Sequence, residues 1–190
     1  GDGRLWGCGA NWKGQLGLDP NMDEYLEPTR MLAQLEDDLT VESVACGADH
    51  IAAIDALGRL WVWGGVFGES PTVVPLRDPE SATDGGEADE CVLVACGASV
   101  TVAVSESGVA YSWGSGGGGR LGLDDGGKSH DTPQPLRALS TPSVRVQAVA
   151  CGKGVSDEDL APGVLSLVTP EAPEALSEQF GRFLRAQPEQ

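Results

Sequence analysis

The chain repeats itself, and that repeat limits what it can fold into more than any other feature. Ala45-Cys46-Gly47 returns as Ala95-Cys96-Gly97 and again as Ala150-Cys151-Gly152, at spacings of 50 and 55 residues. A second phrase keeps step with it. Gly3-Arg4-Leu5-Trp6-Gly7-Cys8-Gly9 recurs as Gly58-Arg59-Leu60-Trp61-Val62-Trp63-Gly64 and as Gly108-Val109-Ala110-Tyr111-Ser112-Trp113-Gly114, spaced 55 and 50. Periods of about 40 to 50 residues, rich in Gly and aromatics, signal propeller blades, in which each unit is a small sheet that cannot bury both faces without neighbours.

Within one period the pattern reads as strands joined by hairpins. Val44-Ala45-Cys46 and Val94-Ala95-Cys96 run without polar interruption, which predicts an inner strand covered on both faces. Ile51 to Asp55 and Thr101 to Ser105 follow, and Gly58 and Gly108 then mark a hairpin into the aromatic strand. Trp61 and Trp63 are two residues apart and share a face, as do Tyr111 and Trp113, so these rings are predicted to fill the wedge between successive sheets. Gly47 and Gly97 after the cysteines, and Gly64 and Gly114 after the aromatic strands, hold matching repeat positions. Five Cys is an odd number, and the shared register of Cys46, Cys96 and Cys151 predicts reduced thiols acting as small buried hydrophobes, which favours a reducing compartment.

The order small-Cys-Gly, short strand, turn Gly, aromatic-x-Trp-Gly and Gly-x-Leu-Gly resembles the regulator of chromosome condensation repeat. Gly14-Gln15-Leu16-Gly17-Leu18 and Gly119-Arg120-Leu121-Gly122-Leu123 supply the loop phrase that follows the aromatic strand in that family, and Pro28 and Pro135-Leu136 sit where its outer strand begins. The resemblance covers residues 1–152 and implies an all-β fold of four-stranded antiparallel blades arranged in a ring of seven. Seven blades at about 50 residues each need roughly 350 residues, so 190 residues supply a partial β-propeller of about three blades and the start of a fourth. The chain begins at Gly1 within a blade, and it is expected to be a segment of a longer polypeptide or an incomplete gene product.

Departures from the pattern carry expectations of their own. After Trp63-Gly64 the chain reads Gly65-Val66-Phe67-Gly68-Glu69, so the middle repeat is read as having lost its Gly-Gln-Leu-Gly loop, and its blade is expected to be the least regular. His50 follows Cys46-Gly47 as in the family, but Val100 takes that place in the next repeat. Residues 153–159 are polar where the fourth blade needs a strand, so the pattern is expected to stop at Gly152. Residues 153–190 are then read as a linker and a short amphipathic C-terminal helix. Thr169-Pro170-Glu171 resembles a helix start, and Leu176, Phe180, Phe183 and Leu184 form one apolar stripe that docks on its own protein or recruits another.

Charge narrows the function classes. With 29 acidic against 12 basic residues the net charge is −17, which disfavours direct nucleic-acid binding, since that affinity rests on Lys and Arg. No signal peptide and no apolar run long enough to span a bilayer is visible, so the expected location is intracellular, cytoplasmic or nuclear. Nucleophile elbows, phosphate-binding loops and paired metal-ligand spacings are missing, and two His leave little acid–base machinery. His50 is read as a hydrogen-bonded structural residue, His130 as solvent-exposed in a polar loop, and Gly114 to Gly119 as a connecting turn. The expectation is therefore no enzyme, no cofactor and no metal.

Partner-binding candidates are Trp12 and the acids of the stretch from Asp78 to Glu90: Asp78, Glu80, Asp84, Glu87, Asp89 and Glu90. Trp12 either anchors a partner from the rim or folds back over its own loop. The acids either solvate the surface or attract a basic protein. The family resemblance implies a protein-interaction platform, alone or within a larger regulatory or ubiquitin-ligase protein. It implies as an alternative guanine-nucleotide exchange on a small GTPase. A light-sensing role, implied for a tryptophan-rich branch of the family, needs Gly-Trp-Arg-His-Thr phrases that this chain lacks.

Overall fold

A computed structural model describes residues 3–32, 39–78, 88–139 and 146–152, together with the backbone of 165–168. Two complete blades stand between two half-blades. Blade 1 contributes β1 (Trp6–Ala10) and β2 (Glu24–Arg30). Blade 2 is the antiparallel meander β3 (Val41–Cys46), β4 (Ile51–Asp55), β5 (Leu60–Trp63) and β6 (Thr72–Val73). Blade 3 repeats it as β7 (Cys91–Cys96), β8 (Val100–Ser105), β9 (Ala110–Gly114) and β10 (His130–Pro135). Blade 4 contributes β11 (Ala148–Cys151) and β12 (Leu165–Val168).

The registers of blades 2 and 3 coincide. Cys46 lies opposite Ile51 and Ile51 opposite Trp63; Cys96 lies opposite Thr101 and Thr101 opposite Trp113. Even the irregularity recurs, between Val41 and Ser43 in β3 and between Cys91 and Leu93 in β7.

Side chains alternate between the two wedges, as a period of two requires. Ile51, Ala53, Trp61 and Trp63 face blade 1, packing with Leu16, Met31 and Leu32. Ala52, Ile54, Leu60 and Val62 face the opposite way and meet Cys96, Ala103, Tyr111 and Trp113 of blade 3. Val100 and Val102 in turn pack toward Val149 and Cys151 of blade 4. The aromatic pairs thus fill the inter-blade wedges, with Trp63 and Trp113 fully buried.

The inner strands differ from the expectation of uniform cover. In β7, which packs between β3 and β11, Cys91, Ala95 and Cys96 are buried. In β3, Glu42, Ser43, Val44 and Cys46 are exposed. The reason lies in the neighbours: among the described residues blade 1 supplies only β1 and β2, so no innermost strand flanks β3 on that side. All five cysteines are free thiols. Burial pushes Cys91 and Cys96 up to about 12 and Cys151 up to about 11.

Two further expectations need correction. The fourth repeat does not stop at Gly152, because β12 pairs antiparallel with β11, Ala148 opposite Val168 and Cys151 opposite Leu165. The apolar residues read as linker supply the partner that an inner strand needs for its backbone hydrogen bonds. His130 is not a solvent-exposed loop residue: it opens β10 opposite Gly114, half-buried, with Nε2 2.6 Å from Asp125 Oδ2. The proposed C-terminal helix lies outside the described residues.

The middle repeat keeps its loop phrase in shortened form. Gly65-Val66-Phe67-Gly68 directly follows Gly64, whereas Gly14 and Gly119 stand five residues beyond Gly9 and Gly114. Its bounding glycines have φ +55° and +90°, beside +67° and +59° for Gly14 and Gly17 and +72° and +69° for Gly119 and Gly122. Phe67 takes the place of Leu16 and Leu121, each packed toward the following blade. Consistent with a cut-down loop, β6 has two residues where β10 has six.

Candidate functional site

Loops that follow the aromatic strands form one rim of the propeller, and that of blade 1 is held by a single buried amide. Asn11 donates through Nδ2 to the carbonyls of Asp19 (3.1 Å) and Met22 (3.0 Å), and its Oδ1 accepts from the Leu16 amide (3.0 Å). Its own amide donates to the Asp23 carbonyl at 2.6 Å. These bonds satisfy backbone groups that a strand ladder cannot reach, so the loop from 11 to 23 has a defined shape. Asp19 closes a turn by accepting from the Asn21 amide and side chain, which holds its carboxyl below the usual range.

Trp12, beside Asn11, is 72% exposed, so its ring stands clear of its own loop. The carbonyl of Lys13 accepts the Gly65 amide at 2.9 Å, which joins this loop to the turn at Gly65–Phe67 of blade 2. Glu69 lies against Gly14, and the Asp49 carboxylate against Gly65.

The acids predicted to bind a partner are distributed differently. Asp78 forms a two-pronged ion pair with Arg137, at 2.7 Å to each guanidinium nitrogen, and so bridges the segments that follow β6 and β10. Asp89 pairs with Leu76 through its backbone, and its carboxylate accepts from the Ser107 hydroxyl. Glu90 accepts the Glu106 amide on its carbonyl (2.8 Å) and lays its side chain against Gly58. Glu80, Asp84 and Glu87 lie outside the described residues. Trp12 and the acidic stretch are therefore not one cluster: Trp12 is on the rim loop of blade 1, while Asp78, Asp89 and Glu90 sit where blade 2 passes into blade 3.

The repeat positions explain themselves by close approach. A Cβ on Gly47 would lie 2.5 Å from the carbonyl oxygen of Gly97, and one on Gly97 would lie 3.2 Å from that of Gly152, so the Cys-Gly step lets successive inner strands come together. Gly64 and Gly114, with φ +90° and +109°, turn back over the carbonyls of Asp49 and Ser99. His50 is buried, with Nε2 3.0 Å from Thr101 Oγ1 of blade 3 and its ring against Phe67. Burial lowers its pKa, against an opposing pull from Asp49. It links two blades.

Sequence reasoning missed Asn11, Val66, Met22 and the carboxylates of Asp49 and Glu69 beside the loops. Only Val66 had a signal, as the x of a displaced Gly-x-Phe-Gly phrase. Among the described residues no group of three or more His, Cys, Asp or Glu is placed to hold a metal ion, and no helix is long and apolar enough to cross a membrane.

Comparison with known proteins agrees with this geometry. The E3 ubiquitin-protein ligase HERC2 of Homo sapiens is 37% identical over 112 residues, covering 55% of this chain but only 2% of HERC2, and the Mus musculus protein matches equally. Solved structures share the fold with a TM-score of 0.68 each: human WBSCR16 at 21% identity (90% of this chain, 41% of that one) and Prp20p of Saccharomyces cerevisiae at 20% (95% and 43%). The yeast protein bound to Kap60 matches at 22% identity (95% and 41%), again with a TM-score of 0.68. This chain thus spans less than half the length of those propellers. The family model of the regulator of chromosome condensation (RCC1) repeat matches residues 2–54 and 107–156. The unmatched interval between them holds the repeat with the shortened loop. With more than half of the chain matched and the blade registers superposing, the protein belongs to the RCC1 repeat family.

Proposed function

We propose that this chain is a protein-interaction platform built from propeller repeats, acting without catalysis or cofactor and within the cytoplasm or nucleus as part of a larger regulatory protein. The observation that carries the reading is electrostatic: 29 acids against 12 bases, with carboxylates gathered on the loops around an exposed Trp12. Such a surface raises encounter rates with cationic proteins and repels phosphate backbones. The preferred partner is therefore a protein with a basic surface, and nucleic acid is not a direct ligand. Prp20p, which shares the fold, is characterised for binding to Gsp1p and histones, and HERC2 is a far larger protein than the segment matched here. Both suit a platform reading.

Guanine-nucleotide exchange on a small GTPase is the second reading, supported by the family resemblance and by the binding of Prp20p to Gsp1p. Pull-down with basic proteins at low and high salt separates the two when paired with nucleotide-release assays on small GTPases. Salt-sensitive capture without accelerated release supports the platform. Accelerated release replaces it with exchange, and capture of bare nucleic acid in preference to protein overturns it.

A further inference from the structure

We propose that the rim shared by blades 1 and 2 docks a cationic protein segment that places one apolar side chain against Trp12, Val66 and Met22. The inference rests on the platform reading and names its location and the chemistry of the occupant. Trp12 (72% exposed), Val66 (81%) and Met22 (50%) are large apolar side chains left in solvent. Two sets of hydrogen bonds bring the segments that carry them together. Asn11 binds the carbonyls of Met22 and Asp23, and Lys13 accepts from Gly65, so Trp12 lies between residues tied to the neighbours of both Met22 and Val66.

The platform is preorganised. Its three apolar residues stand on loops held by the Asn11 bonds within blade 1 and by the Lys13–Gly65 bond between blades, so little ordering is lost when a partner binds. Exposed Trp held in this way is the residue type that most often dominates an interface.

Charge chooses the occupant. Glu69 lays its side chain against Gly14 and Asp49 its carboxylate against Gly65, Glu24 lies opposite Ala10, and Asp19 and Asp23, whose main-chain carbonyls accept from Asn11, are carried by the Trp12 loop itself. Five acidic residues therefore stand on or against the segments that carry the apolar centre, with Lys13 next to Trp12 in the chain. A segment that carries Lys or Arg on either side of one Leu-like side chain satisfies both parts, whereas an acidic or purely apolar segment satisfies one at most. Blade 3 supplies the internal contrast: Gly117 stands where Trp12 does, and residues 114–139 expose no large apolar side chain.

The test uses the whole chain and a fluorescent synthetic peptide of alternating Lys and Ser with one central Leu, followed by anisotropy. A matched peptide carries Gly in place of the Leu. Trp12→Ala should weaken binding of the Leu peptide about tenfold or more, and Val66→Ser by a smaller factor in the same direction. The Gly peptide should bind weakly and ignore both changes. Asp23→Asn combined with Glu24→Gln and Glu69→Gln should weaken both peptides and flatten their salt dependence, while Asp124→Asn with Asp131→Asn on blade 3 should change neither. Unchanged circular dichroism establishes that the variants fold. Wild-type binding that persists in Trp12→Ala and Val66→Ser, yet falls with acids altered elsewhere, overturns this inference and leaves the platform reading standing. No binding of either peptide to the wild-type chain overturns both.

Discussion

Blades 2 and 3 use the same packing and different hydrogen-bond chemistry. Their aromatic strands superpose in register, and Trp63 and Trp113 are both fully buried in the wedge toward the preceding blade. Their hairpins are closed in unlike ways. Between β4 and β5 the Asp55 carboxylate, 2% exposed, accepts from the Leu57 amide (2.9 Å), the Arg59 amide (2.9 Å), Arg59 Nε (2.6 Å) and Trp61 Nε1 (2.8 Å). Between β8 and β9 the hydroxyl of Ser105 does the corresponding work, meeting Val109 through its amide (3.2 Å) and carbonyl (3.3 Å) and Ser107 Oγ at 3.0 Å. The wedge tolerates little because its volume is fixed by two sheets at once, whereas a hairpin needs only that its backbone groups find partners.

The largest expected effect is the one the two blades share. Trp63→Ala and Trp113→Ala should each cost about 3 to 5 kcal/mol in denaturant unfolding, the range for a large aromatic removed from a core. A loss under about 1 kcal/mol at one position and not at the other would break the equivalence of the two wedges.

The hairpins should then separate the blades. Removing a buried carboxylate strands the donors that surround it, so Asp55→Ala should cost about 2 to 4 kcal/mol, discounted for an Arg59 side chain that still reaches solvent. Ser105→Ala deletes a neutral hydroxyl and should cost about 1 kcal/mol. Equal losses would mean that the charge contributes nothing beyond a serine. Acid titration sharpens the same contrast. Burial alone would raise the Asp55 carboxyl, but the bonds from Trp61, Arg59 and Leu57 outweigh it and hold the group below its ordinary value. Its stabilising contribution is complete above the unfolded-state pKa of about 3.9 and disappears as pH falls through the lower folded-state value. Unfolding free energy should therefore drop over that acidic window in the wild type, and the drop should be smaller in Asp55→Asn.

These particulars show what the sequence can disclose. The wedge residues, Cys-Gly steps and aromatic strands are legible because each recurs in register, and recurrence marks what the ring geometry imposes on every blade. Asn11 is not, because it occurs once: at the corresponding place in blade 3, Gly116 uses its amide to bind Ser129 Oγ at 3.1 Å instead. Val66 escapes because its loop phrase has slid four residues toward the strand. The exposure of β3 escapes for another reason, since an inner strand is covered by neighbouring blades and its own residues do not report which neighbours are present. Strand β12 was hidden by the polar residues that separate it from its partner in sequence. The candidate rim was half visible, Trp12 by its isolation in the repeat and the acids from Asp19 to Glu27 as a cluster in one loop, while nothing in the sequence placed Asp49 and Glu69 beside them.

The smallest expected effect concerns His50 and Val100, one repeat position with a titratable and a non-titratable occupant. His50 is buried between blades against Thr101, Phe67 and Asp49, and burial lowers its pKa below the unfolded value of about 6.5. Between the lowered folded value and 6.5 the unfolded chain binds more protons than the folded one, so stability should rise with pH across that window and fall on acidification. One proton limits the slope to about 1.4 kcal/mol per pH unit. His50→Val copies the occupant of blade 3 and removes the proton while keeping an apolar side chain, so its stability should be flatter over the same window. Its baseline also shifts, since Thr101 Oγ1 loses its partner, which makes the slope and not the absolute value the quantity to compare. Urea midpoints at closely spaced pH values between about 5 and 7 measure it. A slope of the same size in His50→Val would show that the proton is taken up elsewhere, and that blades 2 and 3 differ at this position in hydrogen bonding alone.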